Sequence, residues 1–361
     1  NDNTIRRPLS KPIIINGDCS VSQRGTANTD ESSSGFYRVD RMNVGLSNCG
    51  EFRLSQETLT SGNAYNAGFK KAFRIDCAVA DASPASSDIA NMTYKLEGNS
   101  VQVFKKGTSN AEKYTLAFWV KSNKTGTAQV NLVDSDNSRM VSATYTISSA
   151  DTWEHKVLNY PADTTGAFDN DANKSLEIEW ALDAGSDFTS GAVPSAWESQ
   201  ANADRSVNDL ALQDNTANDW AITGIQLEVG TFSSTTLPPF QFESFGDNLE
   251  RCQRYFVTVD TVGATQAGFP GRAFSSSGIM FAVPLPCALR AAPSATLTGT
   301  IRAFDDAGTK DSTSNLSVTS YGNTDSSIVM LQSTGFSSVS NDNSYNVMAI
   351  NDTFYKLDAE L

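Results

Sequence analysis

Hydrophobic and polar residues alternate with a period of two along most of the chain. Tyr114–Lys121, YTLAFWVK, places Leu116, Phe118 and Val120 on one face and Trp119 on the other. Leu176, Ile178, Trp180 and Leu182 fall together, and Ile225, Leu227 and Val229 alternate with Gln226 and Glu228. Successive side chains on a strand point to opposite faces, so these runs predict half-buried strands of antiparallel sheets. Helical spacing is confined to a short segment that begins near Asp247 and runs through LERCQRYF at 249–256, where Leu249, Cys252 and Tyr255 or Phe256 would share a face.

Turn residues divide the strands. Asn123–Gly126 reads as a hairpin loop, and Pro161–Gly166 and Asp183–Ser186 as further loops. The stretch 189–219 is long and polar, and a loop of that length inside a domain is usually functional or disordered. Pro238 and Pro239 favour an extended linker. Beyond it, strands are predicted around Ile279–Leu285, Ala295–Ala303, Ser326–Gln332, Tyr345–Ala349 and Phe354–Leu357. The expected fold is all-β. A leader covers 1–12, and a jelly-roll β-sandwich covers 13–245. Residues 246–361 then form a short helix and a smaller antiparallel β domain.

Composition agrees with that pattern. The chain has 361 residues, enough for two cores, and only 39% are hydrophobic. Its net charge of -14, from 27 basic and 41 acidic residues, disfavours nucleic acid and anionic membrane as partners. No apolar stretch is long enough to span a bilayer, so no membrane insertion is expected. No signal peptide is evident. The first residue is Asn1, so either processing or an upstream segment is expected. The five cysteines, Cys19, Cys49, Cys77, Cys252 and Cys287, form no CxxC pair. Buried, reduced thiols are expected, with a Cys19–Cys49 bridge left open.

The chemistry of the motifs points away from catalysis. The one histidine, His155, stands between Glu154 and Lys156 and reads as a surface residue. GxSxG, HExxH and P-loop signatures are absent. Glu177 and Glu179 could pair as a glycosidase acid and base, but their alternation with Ile178 and Trp180 assigns them to a solvent face. Asp134 with Asp136, and Asp169 with Asp171, read as turn formers and not as a calcium loop. No cofactor or metal is expected. Binding is better supported. A flat aromatic can cover a sugar ring while polar groups meet its hydroxyls. Trp119 points away from the core and Trp197 sits in the polar loop, so these two are the candidate glycan-binding residues. Trp153, Trp180 and Trp220 are in phase with strand cores.

Several segments taken in order resemble a known family. IIINGDCSVSQRGT at 13–26, YRVDRM at 37–42, YTLAFWVKSNKTGTAQVNL at 114–132 and TYTISSADTWEHKVLNYPADTTGAF at 144–168 come first. ITGIQLEVGTFSSTTLPPFQFESFGDNLERCQRYF at 222–256 and the terminal LDAEL follow. This set resembles the tail-fibre and receptor-binding proteins of tailed bacteriophages, with Met42 where that family usually carries Trp. The first domain is also similar to carbohydrate-binding modules of polysaccharide-degrading enzymes. The resemblance implies a non-enzymatic virion protein, assembled in the host cytoplasm, that attaches to bacterial surface polysaccharide. A head fibre or capsid decoration protein, or a binding module of a polysaccharide-active enzyme, are the alternatives. It further implies a homotrimer that contacts other virion proteins, with Arg251 and Arg254 at the joint between domains or subunits.

Overall fold

A computed structural model describes residues 11–260, 268–305, 308–311, 315–321, 326–337 and 339–361. Residues 1–10 of the expected leader lie outside them. The chain divides into two compact units, 1–248 with Leu361, and 249–360.

The first unit is a jelly-roll sandwich of two antiparallel sheets. The six-stranded sheet runs, edge to edge, through β1 (Thr29–Glu31), β4 (Glu51–Thr58), β5 (Lys71–Val79), β13 (Asp219–Val229), β7 (Tyr114–Ser122) and β10 (Glu154–Tyr160). The seven-stranded sheet runs through β12 (Glu198–Ser199), β9 (Arg139–Ile147), β8 (Gly126–Asp134), β11 (Lys174–Ala184), β6 (Ile89–Glu97), β3 (Asn43–Ser47) and β2 (Gly35–Phe36). The period-two runs place their apolar faces between the sheets. Leu116, Phe118, Val120, Leu176, Ile178, Trp180, Leu182 and Trp220 are all fully buried in one core. Asn123–Gly126 is a turn, but not a hairpin, because β7 and β8 belong to different sheets.

One parity change was hidden in the sequence. Trp220 and Ile222 face the core, and so do Ile225 and Leu227, which an unbroken strand forbids. A bulge between Thr223 and Gln226 absorbs the extra residue. Gly224 makes it feasible with φ +62°, a conformation in which a side chain is strained.

The family-like motifs work as clamps. Buried Asn16 donates from its Nδ2 to the carbonyls of Val21 and Asp40, both at 2.9 Å, and its Oδ1 accepts from the Val21 amide. Asp40 accepts from the Gln23 amide at 2.9 Å, and Arg41 donates to the Lys95 carbonyl at 2.6 Å. Asn248 donates to Ser20 Oγ at 2.9 Å and accepts from the Asn16 amide at 3.0 Å. The NGD and VDR elements thus hold the segment 16–23 against the sandwich.

The second unit is an eight-stranded antiparallel sheet. Along its path lie β18 (Gly308–Asp311), β17 (Ser294–Asp305), β21 (Ser344–Asp358), β15 (Gly268–Ala273), β16 (Gly278–Pro284), β20 (Ile328–Thr334) and β19 (Ser317–Tyr321), while β14 (Phe256–Asp260) pairs with β21. Phe281, Val329, Leu331, Val347, Tyr355 and Leu357 form its core. The two strands expected at 345–349 and 354–357 are one continuous strand, because both halves pair with the long β17. The short helix spans Phe245–Gln253, so it starts two residues before the expected Asp247 and ends three before the expected Phe256. Ser244 caps it, accepting from the Asp247 amide at 3.2 Å and donating to the Asp247 carboxylate at 2.6 Å. Phe256 opens the strand that follows.

Candidate functional site

The outward side chains of the six-stranded sheet change character across it. Near β4 and β5 they are charged. Arg53 pairs with Asp30 at 2.7 Å, and Arg74 with Asp76 at 2.8 Å and Asp219 at 3.1 Å. Toward β7 and β10 they are aromatic. Trp119 and His155 sit opposite each other in register and stack with ring centroids 4.9 Å apart. Phe69, Phe240 and Phe242 form a trio with centroids 4.8–5.1 Å apart. A small second core lies beneath, made of Leu59, Ala64, Phe69, Ala72, Trp153 and Ala221.

Trp119 therefore points outward, as its place in β7 predicts, but it is half-buried in this satellite cluster. Gly224 brings it close. A Cβ there would stand 3.0 Å from Trp119 Cδ1 and 2.7 Å from Phe69 Cζ. His155 is half-buried as well, and not a free surface residue. Burial pushes its imidazole pKa below the usual value, which favours a neutral ring against Trp119.

A cleft of about 340 Å³ opens where the charged and aromatic regions meet. Glu57, Asn63, Lys121, Asp151, Thr152 and Trp153 line it, with residues 58–62. Lys121 Nζ lies 3.3 Å from Glu57 Oε1 and 5.4 Å from the Trp153 ring centroid. Asn63 donates to the Trp153 carbonyl at 3.2 Å. The cleft thus gathers hydroxyl, amide, carboxylate and ammonium groups around the buried Trp153, polar groups that can meet the hydroxyls of a polyhydroxylated ring.

Trp153 corrects the expectation of a place in the main core. It is 5% exposed, but it packs in the satellite cluster on the outer side of the sheet. The signal was present in TWEHKVLNY. Leu158 and Tyr160 face the core, so His155 and Trp153 share the opposite parity.

Trp197 is the other correction. It is 8% exposed and belongs to the main core, with Nε1 donating to the Pro161 carbonyl at 2.9 Å and its ring 5.9 Å from Tyr114. It pins the polar segment 186–206 as a strap across the seven-stranded sheet. In the described conformation its ring offers no face to a ligand.

Glu179 is not on a solvent face. Ser142, Asn131, Glu179, Thr93 and Asn43 form one in-register polar row across five strands. The strap lies on that row. Arg205 Nη2 and Asn91 Nδ2 each donate to Glu179 Oε1 at 2.9 Å. Gln129 donates to the Asp204 carbonyl at 2.6 Å, and Asn131 to the Arg205 carbonyl at 2.8 Å. Burial pushes the Glu179 carboxyl up, against the pull of Arg205. Glu177 instead pairs with Lys174 at 2.5 Å.

Arg251 lies in the helix and Arg254 just beyond it, and the Arg254 carbonyl accepts from the Arg290 amide at 2.9 Å. All five cysteines are free thiols, so no Cys19–Cys49 bridge is formed. Four are buried, and burial pushes the Cys77 thiol up to about 11 and the Cys49 thiol up to about 12. Among the described residues no group of three or more His, Cys, Asp and Glu side chains gathers as a metal site. No helix among them is long and apolar enough to cross a membrane.

Comparison with known proteins gives neither a family model nor a curated relative that matches. Solved structures give low-identity likenesses. A putative sugar binding protein from Bacteroides thetaiotaomicron matches 61% of this chain and all of its own, at 12% identity and a TM-score of 0.30. The enzymatically active domain of bacteriophage CBA120 tailspike protein 4 matches 60% of this chain at 14% identity and a TM-score of 0.29, and the match spans only 21% of the tailspike chain. The tandem CBM22 domain of Paenibacillus barcinonensis Xyn10C matches 97% of this chain and 96% of its own, at 10% identity and a TM-score of 0.27. What this chain binds is read from its own residues.

Proposed function

We propose that the chain is a non-catalytic glycan-binding attachment protein of a bacteriophage particle, most simply a tail fibre or receptor-binding protein. The observation that carries the binding half is the open cleft bounded by Trp153, Lys121, Glu57 and Asn63, beside the Trp119–His155 stack. A sugar ring laid there would meet fixed donors and acceptors at its edge, with the half-buried Trp119 ring as the aromatic available to its apolar face. Lys121 pairs with Glu57 Oε1 at 3.3 Å, which places an ammonium and a carboxylate side by side for hydrogen bonding to sugar hydroxyls. The ordered set of fibre-like motifs supports the virion half.

Contacts at one such cleft are weak, so several copies would supply the attachment strength. A homotrimer, with Arg251 and Arg254 facing a neighbouring copy, is part of this proposal. Bacterial surface polysaccharide is the proposed ligand.

A glycan array and a whole-cell pull-down with the assembled protein test the reading. Binding that falls at least tenfold in Trp119→Ala and in Asn63→Ala, with no oligosaccharide released, is the expected result. No binding in either assay overturns it, and release of oligosaccharide overturns the non-catalytic half. Labelling of the particle with antibody separates a tail position from the capsid surface, where a head-fibre or decoration role would replace attachment.

A further inference from the structure

Far from the cleft, a positive charge is shut inside the sandwich. Lys106 follows a short 3₁₀ turn, Gln102–Phe104, and Lys105 in the left-handed region at φ 50° turns the chain so that its successor points inward. The Lys106 side chain is 0% exposed. A buried ammonium is costly unless its surroundings replace water in full.

Here they do. Lys106 Nζ has Asp134 Oδ2 at 2.5 Å, Asp163 Oδ2 at 3.0 Å, the Thr165 carbonyl at 2.9 Å and the Gly166 carbonyl at 2.8 Å. An ammonium has three hydrogens to donate, yet four oxygens converge on it. The rings of Trp197 and Phe168 close the site, with centroids 5.0 and 5.3 Å from the nitrogen. The ligands are themselves held. Asp134 Oδ1 accepts from the amides of Asp136 and Asn137, at 3.0 and 3.1 Å. Asp163 also accepts from Arg139 Nε at 2.8 Å, and Arg139 donates to the Trp197 carbonyl at 3.0 Å. Two carboxylates are thus balanced by Lys106 and Arg139.

Two carboxylates and two carbonyls around one point are the donor set of a hard cation, which binds through oxygen alone. We propose that this cage is a hard-cation site that the Lys106 ammonium occupies as a tethered ion, and that it takes a free metal cation once the lysine is cut back. The tethered ion joins the turn after β8, the loop 161–168 and Trp197 at the middle of the strap. It makes that junction independent of metal supply, which distinguishes it from a loop that must load calcium after synthesis.

Lys106→Ala opens room for an ion and its waters, whereas Lys106→Met fills the same space with an apolar chain. Thermal melting of the wild type and both variants is followed in a chelator, in millimolar calcium, and in sodium at matched ionic strength. The Ala variant is expected to melt below the wild type in chelator and to regain at least half of the loss in calcium or sodium, while the wild type and the Met variant do not respond. The calcium and sodium arms tell which charge the cage accepts. Terbium offers a second readout, since Trp197 lies close enough to sensitise its emission in Lys106→Ala only. If the Ala variant folds only when refolded with the cation, the proposal stands. It is overturned if the Ala variant melts alike with and without cation, if it folds in neither condition, or if the wild type binds terbium equally. An intact mass short of one water would also overturn it, because the lysine would then be an amide and not an ion.

Discussion

The two outer faces of the sandwich meet the same problem and solve it differently. Both carry polar side chains on the side away from the core. On the seven-stranded sheet the chain covers them itself, with the strap 186–206 accepting from Gln129 and Asn131 through its own backbone and donating to Glu179 through Arg205. On the six-stranded sheet a satellite cluster covers only part, and an open cleft remains beside Lys121 and Trp153. A buried polar group must be matched by something. Where the chain supplies the match the face is structural, and where it leaves a gap the face is available to a ligand.

The largest expected effect attacks the closed face. Trp197→Ala should cost about 3–5 kcal/mol, the usual range for removing a large buried aromatic. The check is chemical denaturation, with glycan affinity of the folded fraction unchanged. Lost affinity at unchanged fold would show that the closed face also binds, and the contrast would fail.

Gly224→Ala strikes the open face. The added Cβ sits in a left-handed backbone and presses on Phe69 and Trp119. A cost of about 1–3 kcal/mol is expected for a strained position of this kind, with a clear fall in glycan affinity. Denaturation and a binding titration on one preparation check both.

Lys121→Met should leave stability within about 1 kcal/mol, because its pair with Glu57 is partly solvent-screened. Glycan affinity should still fall several-fold by titration calorimetry. An unchanged affinity would move the binding site away from the cleft.

The smallest effect is a pH dependence. The His155 pKa is held below its ordinary value, so the unfolded chain takes up the proton first as pH falls. Its contribution to stability is complete above about pH 6.5 and is lost as pH falls toward the folded value. His155→Phe should flatten that part of the stability profile in melts between pH 7 and 5. A variant profile parallel to the wild type would remove His155 as the cause.

Much of the fold was legible because period two is a direct record of which side of a sheet is buried. The core positions of β7 and β11 follow from it. What was not legible depended on the third dimension. The parity switch at Gly224 cannot be seen without knowing that Trp220 and Leu227 face the same core. Glu179 reads as exposed because nothing local announces that Arg205, 26 residues on, will lie over it. Trp197 looks free for the same reason, since its pocket is built by Pro161 and Tyr114. Trp119 was found by alternation alone, but its neighbours Phe69 and Phe240 come from distant segments. The helix start was read to within two residues, near Asp247, but its end was set three residues late, because Tyr255 and Phe256 keep helical spacing although Phe256 already pairs with Asp358 in the following sheet.

The position of β13 also has a consequence for how the protein is made. It lies between β5 and β7 in the six-stranded sheet, yet it is the last strand of the sandwich to be synthesised. Until residue 229 has left the ribosome, β5 and β7 each present an unpaired edge that no other strand of the sandwich fills. Such edges recruit other chains. Closure by a late central strand also requires long-range contacts before any reward, which slows folding. A nascent chain halted before Asp219 should therefore be held by chaperones or aggregate, while one extended beyond Val229 should become resistant to protease in a single step.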